Sequence, residues 1–307
     1  MIKVLVSTTI QAPTEAIRKF DALKGWTLIV AGDLKTPPGY KLKNGIYLSP
    51  KDQEKIDKKL SDLIGWNNHG RRNMANLVAK ELNADVIGVV DDDNIPFDDW
   101  GKNLIVGTRA KVNYYQTKLD AFDPVGATNY PQLWHRGFPI QLVPKREYSK
   151  KAAKTIFVDI QADFWDGDPD IDAICRMTLA PRCKFNKKYF PIASNKPSPF
   201  NSQNIIVHKN ALKDYFVLPH ITPYGRMSDI WIAYHMCALG YKVAFAKPSV
   251  YQDRNQHDLM VDMKDEMIGY EKNLSMVKDI CRKTYDPKNY WPKRTLQAYE
   301  AYRKHFK

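Results

Sequence analysis

The sequence has no apolar run approaching the ~20 residues that a membrane-spanning helix needs. Its first strand-like stretch starts at Ile2, without the charged-then-apolar pattern of a secretory leader. The expectation is a protein without a membrane partner, at work in the cytoplasm, or in a host's cytoplasm if the source is viral. Cysteine is scarce: Cys175, Cys183, Cys237 and Cys281 are too far apart for a CxxC pair or a disulfide framework and read as reduced, buried thiols. GxSxG, GxxxxGKS or GxxxxGKT, GxGxxG and HExxH are all missing. Their absence argues against a serine hydrolase, a P-loop nucleotidase, a Rossmann dehydrogenase and a zincin. There is no internal repeat and no low-complexity segment.

What is present is an ordered globular composition, 44% hydrophobic and 12% aromatic, carrying a formal charge of +13 and a pI near 9.3. From Arg176 to Lys196 there are six basic residues and no acid, and from Lys278 to Lys307 nine basic residues against three acidic. Fields of one sign on this scale gather polyanions, so nucleic acid, DNA in particular, is an expected partner; solubility and an anionic small substrate are the competing uses. The oligomeric state is not set by the sequence.

Ile2 to Thr9 reads as a strand and Thr14 to Lys24 as a helix. A second strand, Trp26 to Ala31, ends in Gly32-Asp33-Leu34-Lys35. A short strand at 46–48 leads to Ser49, a fitting N-cap with Pro50 after it, and a helix over 52–64. A helix over 74–82 follows Arg71 and Arg72, which stand where a helix N-terminus already favours anions. Next comes Asp85-Val86-Ile87-Gly88-Val89-Val90-Asp91-Asp92-Asp93-Asn94, a buried-strand run ending in three carboxylates. Adjacent carboxylates repel, and a divalent cation with hard oxygen ligands is the usual way to offset that; the alternative is an acidic surface turn. Beyond it the chain turns irregular and aromatic, with strands expected over 156–161, 205–207 and 243–245. Ser228 is expected to cap a helix over 230–239, with Asp229 in its first turn, and helices are expected over 262–276 and 291–306.

Asp91-Asp92-Asp93 resembles the DxD motif of GT-A glycosyltransferases. Eight further motifs stand in an order similar to that of the plant STELLO glycosyltransferase-like family: Gly32-Asp33-Leu34-Lys35-Thr36-Pro37, Tyr47-Leu48-Ser49, Gly70-Arg71-Arg72-Asn73, Arg136-Gly137-Phe138-Pro139, Gly167-Asp168-Pro169-Asp170, Pro199-Phe200-Asn201-Ser202-Gln203-Asn204, Arg226-Met227-Ser228-Asp229-Ile230-Trp231 and Gln252-Asp253-Arg254-Asn255. The chain also looks like a relative of the reversibly glycosylated polypeptides, the UDP-arabinopyranose mutases. The resemblance runs from about residue 26 to 266. His135 stands where the family pattern has proline, and STELLO-type proteins are Golgi membrane proteins with further regions, so their cellular role is not carried over.

The resemblance implies a GT-A-like α/β fold, with a mixed, mainly parallel sheet flanked by helices. Residues 1–266 would form the nucleotide-sugar-binding domain and 267–307 a basic helical extension packed on it. Asp93 with Asp91, and His257 from a late loop, would hold Mn²⁺ or Mg²⁺. Thr8, Asp33, Lys35, Arg71, Asp91 and Asp92 would bind the donor, Asp229 would be the base, and Trp134, Arg136, Asn201, Gln203 and Arg226 would lie on the acceptor side. The implied activity is transfer from a UDP-sugar, UDP-arabinose or UDP-glucose, to an acceptor such as a hydroxymethylated base in DNA, on which Trp134 would stack. A UDP-sugar mutase and a non-catalytic scaffold of the same fold are the alternatives.

Overall fold

The computed structural model describes residues 1–219, 225–253 and 258–307. Its amino-terminal part alternates strand and helix: β1 (Lys3–Thr9), α1 (Glu15–Asp21), β2 (Thr27–Gly32), β3 (Ile46–Leu48), α2 (Pro50–Ile56), α3 (Lys58–Ile64), α4 (Arg72–Glu81) and β4 (Val86–Val90). The four strands lie parallel in the order β3-β2-β1-β4. Every residue of β4 is buried, as an unbroken apolar run covered on both faces requires. Packing explains the glycine inside that run, because a Cβ on Gly88 would stand 2.6 Å from Leu5 Cδ2 and 3.1 Å from the Trp100 ring. Trp100 meets Phe20 and Trp26 edge-on and donates its indole N–H to Asn204 at 2.9 Å. Such aromatic pairs contribute about 0.5–1.5 kcal/mol each beyond their burial.

Ser49 caps α2 in a reciprocal box with Asp52, and Pro50 opens the helix. The single helix expected over 52–64 is two. Asp57 is extended, with φ of −161°, and its carboxylate accepts from the Leu60 N–H at 2.9 Å to start α3 afresh. An aspartate shows no such break in sequence until its carboxylate takes the cap.

The remaining elements are β5 (Asn94–Pro96), β6 (Arg109–Tyr115), β7 (Lys151–Phe157), β8 (Ile160–Gly167), α5 (Ala173–Leu179), β9 (Ile192–Ser194), β10 (Asn204–His208), α6 (Lys209–Leu212), α7 (Ser228–Ala238), β11 (Val243–Gln252), α8 (Leu259–Arg282) and α9 (Lys293–Lys304). The eleven strands of the described residues join one mixed sheet, ordered β3-β2-β1-β4-β10-β8-β11-β9-β6-β7, with β5 pairing to β11 off that path. This is the mixed α/β class expected. β10 runs antiparallel between β4 and β8, so its amino end shares an edge with the carboxyl end of β4. The strand expected over 156–161 is instead the end of β7 and the start of β8, and β6 is a strand where the sequence reads as irregular.

α8 runs unbroken through residue 266, where the sequence suggested a boundary. α9 is fastened across the chain. Arg294 donates to the carbonyl oxygens of Leu63 (2.9 Å) and Asp62 (2.7 Å), and His305 Nε2 lies 2.8 Å from Asp57 Oδ2. Among the described residues no helix is long and apolar enough to cross a membrane.

Candidate active site

The three carboxylates stand where β4 leaves the sheet, and each is placed differently. The Asp91 carboxylate pairs with Arg72 Nη2 at 2.6 Å, and Arg72 Nη1 donates to the carbonyl oxygen (2.6 Å) and hydroxyl (3.0 Å) of Ser202. Burial pulls the Arg72 guanidinium down, but the Asp91 charge and hydrogen bond more than reverse this and raise it. Asp92 turns towards β1: its carboxylate accepts from Thr9 Oγ1 at 2.6 Å and its carbonyl from Thr14 Oγ1 at 2.5 Å. Burial pushes the Asp92 carboxyl above its ordinary range. Asp93 is half-buried. The Gln203 carbonyl holds the turn together by accepting from the Asp91 N–H (3.1 Å) and the Asn94 amide (3.0 Å).

Beside Asp91 opens a cavity of about 220 Å³ lined by His69, Arg72, Asp91, Arg136, Ser202, Gln203, Arg226 and Asp229. Its wall contains a buried fork. Arg136 grips Asp170 through Nε (2.8 Å) and Nη2 (2.9 Å), and Asp229 through Nη1 (2.9 Å) and Nη2 (2.8 Å). Arg136 also donates to the Arg226 carbonyl, and Asn201 donates to Asp170 at 2.8 Å. Burial alone would push the Asp229 carboxyl up, yet the Arg136 charge and hydrogen bonds take it below the usual carboxylate range. Arg226 is held in turn by Glu266 (2.9 Å) and Asp262 (3.3 Å).

The sequence reading needs three corrections here. Arg71 meets no crevice: it is fully buried, donates to Gln53, Ser61 and Gly65, lies 3.7 Å from the Trp66 ring centroid, and is pushed down to about 10 by burial. Its neighbour Arg72, one residue further round the helix start, is the one that reaches the acids. Thr9 also bonds to them; Thr8, expected to bind the donor, is half-buried one position earlier in the strand and faces the other side of the sheet. Ser228 caps nothing; α7 begins at Ser228 itself, and the hydroxyl bonds to His69 Nε2 at 2.8 Å. Trp134 does not line the cavity. Its indole N–H donates to Asp172 at 2.5 Å, and the Arg146 guanidinium sits 5.9 Å from its ring centroid.

Asp33 is buried and accepts from the N–H groups of Leu34 (2.6 Å) and Asn67 (2.9 and 2.8 Å), so it orders the loop after β2. Lys35 beside it is exposed. His257 lies outside the described residues. His69, Asp170 and Ser202 belong to the cavity or its wall without having been singled out as site residues; Asp170 and Ser202 lie inside motifs, whereas nothing in the sequence marks His69.

The donors at this edge are hard oxygens with no thiolate or imidazole among Asp91, Asp92 and Asp93. That chemistry fits Mg²⁺ or Mn²⁺, which take one or two carboxylates and fill the remaining positions with water and phosphate oxygens. Among the described residues no three His, Cys, Asp or Glu side chains converge into a metal-holding group.

No family model matches the chain. It is 24% identical over 286 residues to the probable glycosyltransferase STELLO2 of Arabidopsis thaliana, and 24% identical over 290 residues to STELLO1 of the same plant. Each match covers 85% of this chain and 37% of the relative, so the chain spans well under half the length of either. A crystal structure of M. tuberculosis glucosyl-3-phosphoglycerate synthase aligns over 91% of this chain and 81% of that one, at 12% identity and a TM-score of 0.40. Along most of its length, then, the chain is similar to the STELLO-type glycosyltransferase-like proteins, as its ordered motifs suggest.

Proposed function

We propose that the chain is a divalent-metal-dependent glycosyltransferase that takes a UDP-sugar donor, with Asp93 and Asp91 as the residues that hold the metal. One observation carries the reading. Among the described residues, each arginine lining the cavity already faces carboxylate: Arg72 faces Asp91, Arg136 faces Asp170 and Asp229, and Arg226 faces Glu266 and Asp262. A diphosphate therefore needs positive charge from another source, and the carboxylates at 91 and 93 are the natural seat for it. A divalent cation there would supply that charge as the diphosphate leaves. In the transfer, the bond from the anomeric carbon to the diphosphate oxygen breaks and its electron pair leaves with UDP. The acceptor hydroxyl oxygen forms the new bond and gives up its proton.

The fate of that proton favours one version. A carboxylate held below its ordinary proton affinity is a weak general base, since such a base works best near the operating pH. Asp229 then positions Arg136 and the Ser202–Gln203 turn, and the departing diphosphate takes the proton, as in transfer with retention of configuration.

The test is thermal melting with UDP-sugars in the presence and absence of Mn²⁺. The expected result is protection only when both are present, about 2.7 kcal/mol at a hundredfold excess over the dissociation constant, and none in Asp93→Ala. Full metal-dependent protection in Asp93→Ala would overturn the metal assignment, and no protection by any UDP-sugar would overturn the donor class.

A further inference from the structure

Two of the nine basic side chains expected to dock a polyanion through the carboxyl-terminal helices are held by partners within the chain. Arg294 is spent on the carbonyls of Leu63 and Asp62, Arg303 on Asp214 at 3.1 Å, and His305 on Asp57. A second group of basic side chains lies at the other end of the sheet. β6 and β7 form an antiparallel ribbon, and β7 is the last strand of the sheet order, with all but one residue exposed. Arg109 and Lys111 on β6, and Lys150, Lys151 and Lys154 on or beside β7, are exposed. No acid occurs in 109–116 or 148–157. Among the described residues, none of the five basic side chains has a carboxylate partner within ion-pair distance. Lys154 rests over the Tyr114 ring at 4.2 Å.

Edge lysines also deter strand-to-strand aggregation, and the ribbon alone would need no further explanation. The feature beyond that role is a cavity of about 290 Å³ at its foot. Tyr114 and Ile156 of the ribbon line it together with Lys196, Lys242 and Lys283, and no carboxylate is among its lining side chains. Lys196 is half-buried there with its ammonium 3.9 Å from the Cys281 sulfur. Desolvating an ammonium without a counter-charge is unfavourable, and an arriving anion would offset that cost. Ser194 and Lys242, beside this cavity, lie at the starting edge of β11, the edge opposite Asp91.

We propose that the β6–β7 ribbon and the lysine-lined cavity at its foot dock the phosphodiester backbone of duplex DNA, as an anchoring surface separate from the cavity beside Asp91. A two-stranded ribbon fits the major groove of B-form DNA, whereas the major groove of A-form RNA is too deep and narrow to admit it. This deepens the proposed transferase by naming the polymer that carries its acceptor, and rests on that reading for the acceptor role alone.

The test measures anisotropy of a labelled DNA duplex against salt for the intact chain, for Lys150→Ala/Lys151→Ala/Lys154→Ala, and for Lys293→Ala/Lys304→Ala/Lys307→Ala. Each phosphate contact contributes about 0.9 to the slope of log affinity on log salt, so the ribbon variant should lose about 2–3 of that slope and the helix variant almost none. Unchanged melting midpoints establish that both variants are folded. Protection by UDP-sugar with Mn²⁺ is read on the same samples, so a failed donor reading is told apart from a failed docking surface. An unchanged slope in the ribbon variant, an equal loss in the helix variant, absent duplex binding at low salt, or displacement of the duplex by polyglutamate of matched charge each overturns the proposal.

Discussion

Replacing Arg136 by methionine tests the electrostatic logic of the site most directly. The substitution removes four charged hydrogen bonds of 2.8–2.9 Å and leaves Asp170 and Asp229 buried without their shared cation. Breaking a buried pair by deleting one partner costs about 3–5 kcal/mol, because the remaining charge is stranded. For a chain of this size that lowers the melting midpoint by roughly 5–15 °C. The pH dependence gives the sharper signature. In the intact chain the Asp229 carboxyl is held below its unfolded value, so its contribution is present above the ordinary carboxylate pKa and lost as pH falls through the depressed one. Without Arg136, burial and the mutual repulsion of the two aspartates raise both carboxyls, so the variant is most stable in acid and loses stability as pH rises through the raised values. The gap between variant and intact chain should therefore narrow between about pH 7 and about pH 5, and Asp229→Asn added to the variant should recover part of the loss. Urea unfolding at the two pH values decides the matter. A loss below about 1 kcal/mol near neutrality, or a gap that widens on acidification, refutes the reasoning.

Two further outcomes concern packing at Gly137 and the titration of His235. Gly137 has φ of +86°, and a Cβ there would sit 2.2 Å from Ile230 Cγ2, while its carbonyl accepts from Tyr234 and Asn273, both at 2.8 Å. Gly137→Ala should cost about 2–4 kcal/mol from left-handed strain and overpacking together; a denaturant midpoint within error of the intact chain would contradict this. His235 is buried beneath Trp291 and bonded to Tyr299 (3.1 Å) and Tyr285 (3.3 Å), and burial takes its imidazole down to about 4. Its folded pKa lies below its unfolded value, so its contribution is full above about pH 6.5 and lost as pH falls towards 4. The intact chain should lose about 3 kcal/mol more than His235→Gln over that window, and parallel pH profiles would exclude the assignment.

How far the sequence reached depended on whether a feature is carried by pattern or by phase. β1, β2 and β4, the N-cap at Ser49 and the acids at a strand end are local patterns, and each is where the sequence indicated. Phase is what it could not supply. A shift of one residue flips a strand side chain to the other face, which separates Thr8 from Thr9, and one step around a helix start separates a buried Arg71 from an Arg72 that reaches Asp91. The bond between Asp57 and His305 and that between Ser228 and His69 depend on partners far along the chain. Arg136 clamps Asp229 from ninety-three positions away, and no local spacing reveals that clamp.

The fastening of α9 bears on the order in which the molecule can be made. Asp57 marks the joint between two amino-terminal helices, yet its second carboxylate oxygen waits for His305, which emerges from the ribosome 248 residues later. Closing a loop of that length costs about 5 kcal/mol in chain entropy, so the joint tightens only when α9 has its other anchors, Arg294 on α3 and Tyr302 on the Leu212 carbonyl. A nascent chain arrested before residue 293 should be cut by protease near residue 57, and one released with α9 in place should resist. In this molecule a helix made more than two hundred residues later acts as a latch that locks the joint between α2 and α3.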